Sequence, residues 1–340
     1  MKQLISVDYY FQNLAHLPII DVRSPVEFKK GHIPGARNIE LFTDEERAVV
    51  GTAYKRESKE KAITIGYKYV TPKLNNFIRK SLEIAPKKQL VVHCWRGGMR
   101  SNAFAEHLIE HGFEKVYVIE KGYKGFRTHV LDFFKKPFKL HVLGGYTGTG
   151  KTKVLHFLED KGQQVIDLEG LANHRGSSFG GIGLAPQPTN EHFENKLFSK
   201  LKGLNPTKPI WLEDESRAIG NVFIPELFYA TMSNMPVYLL DVPLQERVKH
   251  LIDTYADLNQ DKLADAIGRI SKRLGYDNAK FALDELENKN YDKVVMLSLV
   301  YYDKCYLKGL QKRDQSSILS YTFPSVNPEE TADFLIRTTN

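Results

Sequence analysis

Two loops in this chain are built to hold anions, and their chemistries differ. Gly145-Tyr146-Thr147-Gly148-Thr149-Gly150-Lys151-Thr152 follows an apolar run at 139–143 and opens a helix-like stretch. This is the GxxxxGK[ST] phosphate-loop pattern in its required strand–loop–helix setting. Its glycines let backbone amides approach phosphate oxygens, Lys151 reaches the terminal phosphates, and the Thr152 hydroxyl is placed to hold Mg²⁺. Upstream, the strand-like Gln89–His93 ends at Cys94, and Trp95-Arg96-Gly97-Gly98-Met99-Arg100 leads into another helix-like stretch. Backbone N–H groups of a strand-to-helix loop converge on the thiolate, and the helix dipole adds positive potential. Arg96 and Arg100 supply charge that favours the thiolate and holds a tetrahedral oxyanion. Gly97 and Gly98 permit the tight curl. A protein with both loops moves a sulfur-like or phosphoryl-like group and also handles a polyphosphate.

Other residues add to the second loop. Ile210-Trp211-Leu212-Glu213-Asp214-Glu215 reads as an apolar strand ending in acids. Glu213 and Asp214, with Thr152, are the expected Mg²⁺ ligands. Asp167 and Glu169 close another strand and rank below them. The stretch 173–190 is rich in Gly, Ser and Pro, and a loop this long is expected to carry function. Within it, His174-Arg175-Gly176-Ser177-Ser178-Phe179-Gly180 combines donors, glycines and one aromatic. That mixture suits an anion, or a nucleotide base stacked on Phe179. Arg247 and the Lys272–Arg273 pair lie on helical segments and read as solvated rather than as phosphate contacts. Cys305 sits in an aromatic helix-like stretch and reads as core.

The elements that must position these loops alternate in type. In the first part, strands are expected at 18–22, Gln89–His93 and Lys115–Ile119. Ser24 and Pro25 start a helix as N-cap and first helical residue, and Thr43 to Glu46 form a capping box. Helical patterns follow at 71–84 and 101–111, the latter stopping at Gly112. The charged, proline-broken Lys135-Lys136-Pro137 marks the junction between domains 1–135 and 136–340. Beyond it, strand candidates at 139–143, 164–168, 209–212 and Val237–Asp241 alternate with helices. This rhythm predicts α/β domains with parallel sheets.

Composition sets the partners. The chain has 340 residues and a formal net charge of +7, an excess that favours an anionic partner, nucleic acid first. Its two cysteines exclude a disulfide framework, and a free thiol in a reactive loop fits a reducing compartment. The opening MKQLISVDYYFQN lacks the charged-then-apolar pattern of a signal peptide, and no apolar run is long enough to span a bilayer. A cytoplasmic enzyme is expected, with no membrane association and no stable protein partner.

Asp21-Val22-Arg23-Ser24-Pro25-Val26-Glu27-Phe28, Gly31-His32-Ile33-Pro34-Gly35-Ala36 and the Cys94 loop together resemble rhodaneses over residues 1–130. Within that resemblance Cys94 corresponds to the persulfide-carrying residue, while Asp21, His32 and Pro34 are structural. The C-x5-R loop is one residue longer than in sulfur-transferring rhodaneses. It is shared with phosphatases of related fold, which suggests a pocket sized for a phosphate-like tetrahedron.

The whole constellation resembles the tRNA 2-selenouridine synthase family, a rhodanese-like domain fused to a P-loop NTPase-like domain. The carrying motifs are the Cys94 loop, the phosphate loop and the His174–Gly180 segment. Leu41-Phe42-Thr43-Asp44-Glu45-Glu46-Arg47, Val50-Gly51-Thr52-Ala53-Tyr54-Lys55, Gln187-Pro188 and Trp211-Leu212-Glu213-Asp214-Glu215-Ser216 also match. The stretch from about residue 281 is the least distinctive. The resemblance implies a transferase. It attaches a geranyl group from geranyl diphosphate to the sulfur of wobble 2-thiouridine in tRNA, then replaces the geranylthio group with selenium from selenophosphate. The Cys94 loop, with Trp95, Arg96, Gly97, Gly98, Met99 and Arg100, would take selenophosphate. Residues Gly145 to Thr152 would take the diphosphate, and His174, Arg175, Ser177, Ser178 and Phe179 would face substrate. A cysteine-dependent phosphatase fused to a nucleotide kinase-like domain is the alternative, weakened because no general-acid aspartate is motif-placed near the loop. A ligand-sensing regulator is a third reading, against which the intact Cys94 argues.

Overall fold

The computed structural model describes residues 1–255 and 260–339. They form two compact units, Met1–Phe133 and Phe134–Asn340.

The first unit is built on a five-stranded, all-parallel sheet. Its strands are β1 (Lys2–Ile5), β2 (Ile19–Asp21), β3 (Arg37–Asn38), β4 (Gln89–His93) and β5 (Lys115–Ile119), in the spatial order β1-β5-β4-β2-β3. Leu90, Val91 and Val92 of the central β4 have no exposed surface, as expected for a strand covered on both faces. Ile20, Val22, Phe77, Phe104, Leu108 and Val118 pack around it. The Glu27 carboxylate caps the Pro25–Lys30 helix by accepting from the Ser24 N–H at 3.2 Å. The expected Thr43 box is reciprocal, with Glu46 N–H to Thr43 Oγ1 at 3.2 Å and Thr43 N–H to Glu46 Oε2 at 2.9 Å. β1, mostly exposed at the sheet edge, carries no alternation that marks it in the sequence.

The second unit holds a parallel sheet of β6 (Leu140–Gly145), β7 (Gln164–Ile166), β8 (Ile210–Glu213), β11 (Val237–Asp241) and β12 (Ile318–Thr322), ordered β12-β11-β6-β8-β7. A short antiparallel hairpin, β9 (Ala218–Ile219) with β10 (Val222–Phe223), sits between β8 and β11. The strand expected at 164–168 stops at Ile166. Asp167 instead caps a short helix, Leu168–Ala172, by accepting from the Gly170 N–H at 2.6 Å. From β6 the chain builds β7 and β8 on one side and β11 and β12 on the other. The carboxyl end of β6 is therefore the topological switch point, where open α/β sheets bind ligands.

Four helices, Leu244–Tyr255, Gln260–Leu274, Tyr276–Glu287 and Tyr291–Leu310, follow β11. Leu263, Ile267, Ile270, Ala282, Leu286 and Val294 give the last three a core of their own. Cys305 corrects the sequence reading: it is exposed. The inward stripe of its helix runs through Val294, Ser298, Tyr302, Tyr306 and Leu310 at four-residue spacing, and Cys305 lies one step off it. No helix of the described residues is long and apolar enough to cross a membrane.

Candidate active site: two anion cradles

In the first unit, Cys94 leaves the end of β4 and is 3% exposed. The curl that follows is held from outside. The Cys94 carbonyl accepts from the Tyr123 N–H at 2.8 Å and the Trp95 carbonyl from the Lys124 N–H at 2.9 Å. Asn102 Nδ2 donates to the Gly97 and Gly98 carbonyls at 3.1 and 3.0 Å. A trans peptide sets N–H opposite C=O. With these carbonyls engaged, the N–H groups of Trp95, Arg96, Gly98 and Met99 are directed away from those bonds, ahead of the Met99–Glu110 helix, an arrangement from which an anion nest can be built. Gly97 has φ +63° and Gly122 φ +51°. A Cβ on Gly97 would strike the Ile119 carbonyl, and one on Gly122 the Cys94 carbonyl. The Cys94 Sγ lies 3.2 Å from Ser101 Oγ at the base of the curl.

The charges around this loop differ from the sequence expectation. Arg96 is exposed. Arg100 is held by an acid: its Nη1 donates to Glu27 Oε2 at 2.9 Å. Arg47 Nε stands 3.6 Å from the same oxygen. Burial by itself would raise the Glu27 carboxyl, but the bond to Arg100, its charge, the Ser24 N–H and Arg47 together hold it below the usual range. Arg47 also interacts electrostatically with Cys94. Glu27 and Arg47 are thus site residues that the spacing did not single out, because they come from two helices far away in sequence. Beneath them, Arg23 and Asp21 are buried and paired. Arg23 Nε donates to Asp21 Oδ1 at 3.0 Å, and Arg23 Nη2 to the Gly31 carbonyl at 2.7 Å. Arg23 also stacks 3.8 Å from the Tyr123 ring centroid. Asp21 is architectural, and so is His32, stacked on Phe28 at 3.8 Å. His93, fully buried beside Cys94, is pushed below its ordinary value by burial, against the charge of Asp21.

In the second unit, the phosphate loop joins β6 to the Lys151–Asp160 helix. Gly148 and Gly150 have φ +88° and +80°. Lys151 Nζ donates to the Gly145 carbonyl at 2.7 Å, and Thr152 Oγ1 to Glu169 Oε2 at 3.0 Å. Arg247 is not a solvated residue: it is 5% exposed, pairs with Asp303 at 2.8 Å, and donates to the Thr147 carbonyl at 3.1 Å. It clamps the loop.

The acids sort differently from the expected pair. Asp214 is committed elsewhere, with Oδ1 on Arg313 at 2.5 Å and Oδ2 accepting from Tyr306 at 2.9 Å. Tyr306 in turn accepts from the Gly145 N–H at 2.9 Å. Asp214 therefore fixes the start of the loop, and the two strong donors on its oxygens displace it as a metal ligand. Glu213 is fully buried. Its Oε2 accepts from the Leu168 N–H at 3.0 Å, while Oε1 has no hydrogen-bond partner. Burial, then the charges of Asp167 and Glu169, push its carboxyl well above the usual range. Glu169 and Glu215 are also raised, by burial first, although Lys151 pulls both down. Thr152, Glu169 and Glu215 make an all-oxygen donor set. That set fits Mg²⁺.

The His174 loop lies against the same acids. A Cβ on Gly176 would come within 2.7 Å of Glu215 and 2.9 Å of Glu169. The loop folds on itself, with Arg175 N–H to the Gly180 carbonyl at 3.0 Å and Gly180 N–H to the Ser177 carbonyl at 2.8 Å. Ser178 N–H donates to the Tyr302 hydroxyl at 3.0 Å, and Arg269 to the Ser178 carbonyl at 2.7 Å. Gln187 ties the far end to the Ala172 and Ile219 carbonyls. Phe179 packs against the helical core, edge-on to Tyr302 at 6.5 Å.

Both halves of the chain match known families. Residues 7–129 match the rhodanese-like domain, and residues 138–328 match the tRNA 2-selenouridine synthase AAA domain. Among curated relatives, the tRNA 2-selenouridine synthase of Nitrosomonas europaea is 35% identical, over 88% of this chain and 91% of its own length. The enzyme of the same name from Hydrogenovibrio crunogenus is 35% identical over 92% and 94%, and that from Sulfurovum sp. 37% identical over 83% and 82%.

Proposed function

The chain belongs to the tRNA 2-selenouridine synthase family, and we propose that it converts wobble 2-thiouridine of tRNA to 2-selenouridine through a geranylated intermediate. The observation that carries this reading is the pair of built anion cradles in one chain, one based on Cys94 and one on Lys151.

In the first step the thiouridine sulfur attacks C1 of geranyl diphosphate. A carbon–sulfur bond forms, the carbon–oxygen bond breaks, diphosphate leaves, and the uridine N3 proton passes to solvent. The protein's task is to hold the diphosphate and stabilise its growing charge. The phosphate-loop amides and Lys151 are preorganised for this, and Lys151 exchanges the Gly145 carbonyl for a phosphate oxygen. Thr152, Glu169 and Glu215 would hold Mg²⁺, which when bound supplies further neutralisation of the diphosphate. No nucleotide hydrolysis is required by this chemistry.

In the second step the phosphate part of selenophosphate, a tetrahedral anion, sits in the Cys94 loop. Its selenium attacks C2 of the modified uridine, and geranylthiolate leaves. Water then takes the phosphoryl group, breaking the phosphorus–selenium bond and leaving selenium on the base. The loop N–H groups hold the phosphate, and Arg100 and Arg47, already drawn together by Glu27, border it with positive charge.

The test is incubation of the purified chain with 2-thiouridine tRNA and geranyl diphosphate, followed by nucleoside mass spectrometry. A geranylated nucleoside supports the reading. Unmodified 2-thiouridine, together with hydrolysis of a generic aryl phosphate, would favour a phosphatase.

A further inference from the structure

We infer that the apolar cavity beside the phosphate loop houses the isoprenoid tail of the prenyl diphosphate and sets its chain length, an inference that rests on the prenyl-transfer reading above. The cavity lies among the four helices that follow β11. Leu251, Leu263, Leu286, Val294 and Leu299 supply its walls, one from each of the first three helices and two from the last. It touches the phosphate loop at Thr147 and the His174 loop at Ser177 and Phe179. A ligand with an anionic head and a hydrocarbon tail could therefore place the head on the loop amides and the tail among the helices.

The wall chemistry favours hydrocarbon over a nucleotide base. A base needs partners for its ring nitrogens and exocyclic groups, and an unmatched buried polar atom costs affinity. Five polar side chains reach the cavity, and Ser177, Ser298 and Tyr302 among them already have local partners, while Thr147 and Tyr291 add one hydroxyl each. Ser298 Oγ donates to the Val294 carbonyl at 2.9 Å, and Ser177 Oγ accepts from the Phe179 N–H at 3.2 Å. The Tyr302 hydroxyl accepts from the Ser178 N–H at 3.0 Å. Most of the remaining lining is carbon surface, suited to a linear apolar chain. Phe179, expected to stack on a base, is instead part of this wall. The helical layer also explains why a phosphate-loop unit carries a separate small core beyond its sheet.

Single-turnover prenyl transfer to 2-thiouridine tRNA, measured with dimethylallyl, geranyl and farnesyl diphosphates, tests this. Each buried methylene is worth about fourfold in affinity, so the five further carbons of geranyl over dimethylallyl predict a preference of about 10²–10³. Leu263→Ala should move the preference toward farnesyl, and Val294→Phe toward dimethylallyl, each by about tenfold or more. If both folded variants keep the parent's chain-length profile while geranyl transfer is intact, the cavity assignment is wrong and the prenyl-transfer reading stands. If the parent transfers no prenyl group at all, that reading fails and takes the assignment with it. Because filling a core can unfold it, a geranyl diphosphate analogue with a diazirine at its tail end is also photolysed on the unaltered chain. Labelled peptides from 244–310 are expected, and labelling confined to other segments overturns the inference.

Discussion

Replacing Lys151 with alanine should slow geranyl transfer about 10²–10³-fold, the range set by loss of one preorganised donor to a developing anion, or about 2.7–4 kcal/mol. The loss is expected to fall in the transition state. Lys151 Nζ rests on the Gly145 carbonyl at 2.7 Å, inside the loop that would hold the diphosphate. Exchanging a neutral carbonyl for a phosphate oxygen gains a charge-assisted bond, and that bond strengthens as the bridging oxygen leaves. A second effect accompanies the first. The Lys151 charge holds down the carboxyls of Glu169 and Glu215, which burial raises, Glu215 further by the charge of Glu169. Without it the acids bind protons more tightly, which changes the charge facing the diphosphate. Lys151→Arg, which keeps the charge, should lose less. The assay is rapid-quench single turnover with saturating geranyl diphosphate and 2-thiouridine tRNA, read by nucleoside mass spectrometry. A Lys151→Ala rate within about threefold of the parent, in a folded variant, would refute the role of the loop in diphosphate departure, since the electrostatic argument demands far more.

Four further outcomes follow. Cys94→Ala should impair selenium incorporation, because it removes the Sγ that rests on Ser101 at the base of the selenophosphate loop, and spare geranylation, because the phosphate loop belongs to the other unit; mass analysis after each step reads both. Asp21→Asn should destabilise the first unit by about 3–5 kcal/mol in chemical denaturation, since it strands the buried Arg23 charge. Burial works to raise the Asp21 carboxyl, but His93 and Arg23 outweigh it and lower it. Its stabilisation is therefore full above the ordinary carboxylate pKa of about 3.9 and is lost as pH falls through the lowered folded value, a slope that Asp21→Asn should flatten. Glu215→Gln should raise the melting temperature of the second unit at pH 8 by roughly 2–4 °C per kcal/mol of relieved repulsion. A raised folded pKa costs stability as pH rises, so the gain should shrink toward pH 5. Binding of tRNA should weaken with salt, each neutralised phosphate adding about −0.7 to −0.9 to the slope of log K against log salt. Filter binding with Lys272 and Arg273 both replaced shows whether this exposed pair, whose Arg273 bonds Tyr301 at 3.3 Å, contributes to that slope.

Local patterns made much of this legible in the sequence. β4 and β11 run over the residues their apolar runs mark, and the capping residues Thr43 and Glu46 start their helix as read, because these signals are local and strong. Edge strands such as β12, with a mostly exposed pattern, carry no such signal. The charges were harder to place. Asp214 and Glu213 are adjacent on one strand end, yet their side chains alternate to opposite surroundings. One is locked by Arg313, nearly a hundred residues on, and the other faces Asp167 and Glu169. Glu169 reaches Thr152 only because Asp167 caps a short helix that the apolar run concealed. Likewise Arg100 could be aligned with the Cys94 loop from spacing, but Glu27 and Arg47, which share its charge, are brought there by tertiary packing alone.

The central claim is that one chain carries a single uridine through both steps. The most direct measurement is sequential: purified chain and 2-thiouridine tRNA receive geranyl diphosphate, then selenophosphate, and nucleosides are analysed by mass spectrometry after each addition. The account predicts the geranylthio nucleoside after the first and 2-selenouridine, with geranylthiol released, after the second. Formation of 2-selenouridine at full rate from 2-thiouridine and selenophosphate, with geranyl diphosphate never supplied, would contradict it.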